Sequence, residues 1–155
     1  MFIVTTYEDL LIEADNNNLI TKEKNLPISK GRIKGKRIAI RKSLPETEKK
    51  CVMAEELGHY YTGYGDILDQ SSVSNRKQEL KGRIHAYNRL VGLLGIIDAY
   101  QNDCTNLFET AEHLHVPEDF LNEAISYYRS KYGTSVTVDN YTIFFEPYVA
   151  VLELV

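Results

Sequence analysis

Residues 54–61 read AEELGHYY, one letter away from a helical His-Glu-x-x-His. That motif sets two imidazoles on one helix face to hold zinc, with a glutamate between them as general base. Here Glu55 stands in the place of the first histidine, Glu56 in the place of the base and His59 in the place of the second histidine. Residues four apart project from the same side of a helix, so Glu55 and His59 reach one ion together, with Glu56 beside them. Zinc accepts a carboxylate oxygen at nearly the bond length of an imidazole nitrogen. The exchange therefore keeps the geometry, adds negative charge, and shifts preference towards harder ions such as manganese or iron. The plainer reading is a solvated helix face, because Glu and His are mostly exposed. Gly58 weighs against it, since glycine is a poor residue for a helix interior unless something must approach closely.

A catalytic site of this kind needs three protein ligands and one open position. Asp69, Glu79 and His85 are the candidates for the third ligand. Glu79, near the start of the following helix, suits a helix packed antiparallel beside the first. His113 and His115 are two apart, which puts them on different faces, and they are not expected to be ligands.

Outward from this stretch, Pro45-Glu46-Thr47-Glu48 predicts the opening of the helix, with Ser43 as its cap and Gly63 as its stop. A second long helix is expected over about 74–99, and a polar loop lies between the two. Upstream, Thr6–Asn16 has helical spacing at Tyr7, Leu10, Leu11 and Ala14. Ile33, Ile38 and Ile40 flank Gly35 and predict a short hairpin, with Lys34, Lys36, Arg37, Arg41 and Lys42 on its outer side. We expect the Arg37–Arg41 strand to be a solvated edge guarded by basic residues. Downstream, short helices are predicted near Asn106–Leu114 and from Val116-Pro117-Glu118 to about Lys131, closed by Gly133. Two alternating segments around Asp139-Asn140 predict a closing hairpin. The order is α+β and mostly helical. Residues 1–100 are expected to form the core, with the motif helix over about 45–63, and residues 101–155 to pack on it as C-terminal helices and a β-hairpin.

Bulk properties narrow the classes. The chain has 155 residues, 43% hydrophobic and 26% charged, which is the range of ordinary globular domains. No apolar run approaches the ~20 residues needed to span a bilayer, and no export signal is expected at the N-terminus. Net charge is −4 and no basic stripe stands out along the chain, which argues against nucleic acid as the main partner. The region from Leu107 to Tyr128 has helix-turn-helix spacing, yet its second helix opens on Glu118, Asp119 and Glu123, which phosphates would repel. Cys51 and Cys104 lack metal or redox spacing and predict reduced thiols in a cytoplasmic protein.

The segment from Cys51 to Gly92, CVMAEELGHYYTGYGDILDQSSVSNRKQE followed by LKGRIHAYNRLVG, resembles the ImmA/IrrE family of metallopeptidases. The likeness is to short members encoded in prophages of Gram-positive bacteria, which share Glu-Glu-Leu-Gly-His, the downstream Asn-Arg-Lys-Gln-Glu and the VDNYTIFFEP-like hairpin. It extends over nearly the whole chain, including the Gly35 hairpin and AEHLHVPEDFLNEAISYYRSKYG. The resemblance implies a zincin-like domain with Glu55, His59 and Glu79 as metal ligands and Glu56 as general base. It implies a divalent metal, zinc first, with manganese or iron as alternatives. The family's Glu-x-x-Ala-Asn-x-Phe-Ala pattern reads Glu79-Leu-Lys-Gly-Arg-Ile-His-Ala86 here, so Gly82 and His85 are among the positions that depart from it. His85 then falls where an aromatic packs and is expected to support the site or the core. The implied activity is cleavage of a helix-turn-helix phage repressor in the bacterial cytoplasm by metal-activated water. The alternative is an inactive relative that binds the repressor as an antirepressor module. The basic Arg37–Arg41 strand is the expected place for a substrate chain to pair, which a proline at Ile38 or Ile40 would disturb.

Overall fold

A computed structural model of the chain describes residues 2–63 and 72–155, apart from the side chains of 72–74. The fold is α+β, and the chain divides into two units. The unit Thr5–Arg89 holds helix α1 (Tyr7–Asn16), strands β1 (Ile20–Lys24), β2 (Gly31–Lys34) and β3 (Arg37–Arg41), helix α2 (Glu46–Thr62) and nearly all of helix α3 (Ser72–Leu90). The other unit joins the residues before Thr5 to Leu90–Val155. It holds α4 (Gly92–Gln101), α5 (Leu107–Leu114), α6 (Glu118–Tyr132) and strands β4 (Ser135–Val138), β5 (Tyr141–Phe144) and β6 (Ala150–Glu153).

Helix α1 opens on a reciprocal cap: the Thr6 hydroxyl accepts from the Asp9 N–H at 3.0 Å, and the Asp9 carboxylate accepts from the Thr6 N–H at 2.9 Å. Two orphan donors of the first turn are thereby satisfied. Leu10 and Ala14, a turn apart, are fully buried.

The basic hairpin forms around Gly35, whose φ of +57° suits a residue without Cβ. The expectation for its second strand is overturned. Strand β3 is the centre of a three-stranded sheet ordered β1-β3-β2, parallel to β1 and antiparallel to β2. Strand β1, ITKEK, has one apolar residue and no alternation, so it carries no strand signal and is defined by its backbone pairing to β3. A proline in β3 would break a central ladder rather than test substrate docking. Ile33, Ile38 and Ile40 share the inner face and are buried against α2.

Helix α2 starts after Pro45 with no side-chain cap, so Ser43 does not cap it. It ends at Gly63, where φ is +79° and the N–H returns to the carbonyls of His59 and Tyr60. The helix expected over 74–99 is two helices. Gly92 takes φ +65°, and its N–H bonds to the Tyr128 hydroxyl at 3.0 Å instead of continuing the ladder. In the second unit, Asn106 caps α5 by accepting from the Glu109 N–H at 2.8 Å. Asp139 turns the β4–β5 hairpin at φ +53°, and β6 adds a third strand that the sequence pattern does not announce. Neither cysteine forms a disulfide, and no helix among the described residues is long and apolar enough to cross a membrane.

Candidate metal centre

Helix α2 carries Glu55 and His59 one turn apart on the face that meets α3, and α3 brings Glu79. One ligand atom from each of these three residues lies within 4.8 Å of the others. His59 Nε2 stands 3.4 Å from Glu79 Oε2. Two ligands on a tetrahedral ion, with bonds of ~2.0–2.2 Å, stand about 3.3–3.6 Å apart, so that pair already has the separation a cation demands. Among the candidates for the third ligand, Glu79 is the one brought to the cluster. Asp69 lies outside the described residues. His85 is not among the converging atoms; its ring lies 5.3 Å from the Tyr61 ring, and its buried Nε2 has no hydrogen-bond partner. His113 pairs with Asp98 at 2.7 Å in the other unit, and His115 takes a left-handed φ of +55° to close α5.

Two glycines set the approach of the helices. A Cβ on Gly58 would stand 2.9 Å from the Gly82 carbonyl oxygen and 2.8 Å from His85 Cβ. A Cβ on Gly82 would press into the His59 ring. The imidazole is therefore packed under the α3 backbone, and His59 is 2% exposed. This is the close approach that Gly58 hinted at in the sequence; Gly82 is the matching half on the other helix. A third glycine, Gly31 on β2, lies on the other flank. A Cβ there would meet Val52 and stand 3.1 Å from Glu56 Oε1.

The charges are arranged as a site that lacks positive charge. Burial, then a hydrogen bond to Glu79, then the Glu79 and Glu56 charges push Glu55 far above the ordinary carboxylate range, against the pull of Arg83. Glu79 goes the other way, held down first by its hydrogen bond with His59, then by the one with Glu55. The proton of the pair thus sits on Glu55, shared with the ionised Glu79. Glu56, 7% exposed, is pushed up to about 7 by burial; the His59 charge opposes this and the Glu79 charge adds to it. Two largely buried carboxylates, the half-exposed Glu79 and a buried imidazole crowded at the helix crossing are costly without a cation, and the shared proton partly stands in for one. Two carboxylates and one imidazole form a donor set for a divalent ion, so the residues present fit such an ion.

Over residues 12–140 the chain matches a peptidase family model, described as the IrrE N-terminal-like domain. No curated protein and no solved structure matches the chain.

Proposed function

The chain belongs to the ImmA/IrrE family of metallopeptidases, and on that premise we propose that it is an endopeptidase that cleaves a helix-turn-helix repressor of a mobile element inside a bacterial cell. One observation supports this most: Glu55, His59 and Glu79 converge across the α2–α3 crossing with the buried Glu56 on the same helix turn. A divalent cation held by those three side chains, zinc first and manganese or iron as alternatives, supplies Lewis acidity towards a peptide carbonyl and makes water more acidic. Glu56 is the general base. It takes a proton from the attacking water and passes it to the leaving amine, and a carboxylate lifted to about 7 is suited to both transfers near neutral pH.

The substrate chain is proposed to pair with β2, not β3. Strand β2 is an edge, bonded on one side only among the described residues. The Arg41 N–H donates to the Lys30 carbonyl at 2.8 Å, so in an antiparallel ladder Lys30, Arg32 and Lys34 turn their polar groups towards β3. Gly31 and Ile33 then offer theirs to the open side, and Gly31 is the residue against Glu56. An extended peptide added there runs past the general base.

The test is incubation of metal-loaded protein with a repressor encoded nearby, comparing wild type with Glu56→Gln. Cleavage by wild type and none by the variant supports the reading. Binding without cleavage, under zinc and under manganese, replaces it with the antirepressor module. Elemental analysis of protein purified without chelators, with Glu79→Ala as the metal-poor control, separates a dead site from an unloaded one.

A further inference from the structure

Residues 20–42 hold nine of the chain's 18 Lys and Arg but one of its 22 Asp and Glu, a local charge of +8 in a chain of −4, so the remainder carries −12. Strand alternation sorts these cations onto one surface. Lys22 and Lys24 on β1, Arg32 and Lys34 on β2, and Arg37 and Arg41 on β3 all project from the face of the sheet opposite α2. The register sets Lys24 opposite Arg41 and Arg37 opposite Lys34. Neighbouring cations are thus ~4.8 Å apart across strands and ~6.7 Å apart along them at the backbone.

Among the described residues, none of the six has a carboxylate within ion-pair distance. Glu23, the one acid in these strands, turns to the other face, where it accepts from Lys49 and Tyr7. Arg41 keeps a buried Nε without a hydrogen-bond partner. Five of the cations line a shallow depression of about 280 Å³. Like charges placed side by side on a sheet repel and destabilise it. An undiluted cationic face on an acidic protein is therefore explained by a polyanion that covers it.

We propose that the outer face of this sheet docks the phosphate backbone of double-stranded nucleic acid. Three features favour a duplex over an acidic peptide or a single strand. The cations form a grid across three strands, whereas one extended peptide meets a single row. Among the described residues the face has no aromatic ring on which an unpaired base could stack. Ile20 and Ala39 are its only apolar side chains among the described residues, so it lacks the sockets that a peptide's side chains need. Contact is then to phosphate and carries no base readout. The face lies across the sheet from α2, so nucleic acid and a peptide at Glu56 can be held together. The proposal does not depend on the peptidase reading.

The experiment is fluorescence anisotropy of a labelled duplex of about 20 base pairs of arbitrary sequence, titrated with the full chain from 50 to 200 mM salt. With about five phosphates engaged, log affinity should fall with log salt at a slope near −4.5, or about 500-fold over that range. Lys22→Ala with Lys24→Ala should reduce the slope by about 2 while leaving the melting temperature at or above wild type. Lys77→Ala with Lys131→Ala, two cations off the face, should match wild type. No binding at 50 mM salt, or the same slope in both double variants, overturns the proposal. Tighter capture of a glutamate-rich peptide than of the duplex also overturns it and assigns the face to a protein partner.

Discussion

Replacing Gly58 by alanine sets two effects of opposite sign against each other. In a helix interior alanine is better than glycine by ~0.8–1 kcal/mol, so on propensity alone Gly58→Ala stabilises α2. The new Cβ, however, would lie 2.8 Å from His85 Cβ, 2.9 Å from the Gly82 carbonyl oxygen and 3.0 Å from Gly82 Cα. Two of those three atoms are α3 backbone, which no rotamer change can move aside. Ordinary contact begins at 3.4 Å, so α3 must retreat by about half an ångström. Overpacking of this kind costs ~1–3 kcal/mol. The net loss is then about 0–2 kcal/mol, or up to ~8 °C in melting temperature for a chain of this size. The metal site is hit harder. Glu79 rides on α3, ligand distances must hold within ~0.2 Å, and displacing the supporting structure typically costs 10–100-fold in affinity. Thermal unfolding of the metal-free chain and competition with a chromophoric chelator measure the two effects separately. A melting temperature raised by ~2–4 °C together with metal affinity within twofold of wild type would show that the helices are not held at this distance.

Other consequences follow from the same geometry. In the metal-free protein burial lifts the Glu56 pKa from its ordinary value of 4.5 to about 7, so the native state favours the protonated form. Its penalty is absent below pH 4.5 and complete above about pH 7, and stability falls as pH rises through that window. Glu56→Gln should therefore be more stable than wild type at pH 8, by roughly 3 kcal/mol at most, with the gap closing by pH 5 in denaturant titrations. A variant no more stable at pH 8 would mean that Glu56 is hydrated. Because the proton of the Glu55–Glu79 pair must leave when a cation enters, binding at pH 7 should release about one proton, read by calorimetry in two buffers of different ionisation heat. Zero release would contradict the shared proton. Gly31→Ala puts a Cβ into Val52 and against Glu56 Oε1, so cleavage should slow at least tenfold while metal content stays at wild-type level; loss of metal would show that β2 supports the ligands instead.

Much of the site was open to reading because its chemistry is local. Acids after Pro45, the four-residue spacing of Glu55 and His59, and Gly63 as a left-handed stop all act within one helix, where sequence distance converts directly to spatial distance. The distinction among Asp69, Glu79 and His85 had no such ruler. It depends on how α3 lies against α2, and the 3.4 Å between His59 and Glu79 comes from two glycines facing each other at the crossing. Gly82 looked like a departure from a pattern, but its absent Cβ is what leaves room for the imidazole.

The sheet shows the same division more sharply. Alternation made Ile33, Ile38 and Ile40 an inner face and their basic neighbours an outer one. Local pattern could not say that β3 is central, because β1 has no apolar alternation and is a strand only through backbone bonds to a partner seventeen residues away. Those bonds leave β1 and β2 as the edges, with β2 beside Glu56, and gather the charges of three strands onto one surface. Side-chain periodicity is written along the chain; pairing partners, helix separation and the proton held by Glu55 arise from groups that meet only after folding.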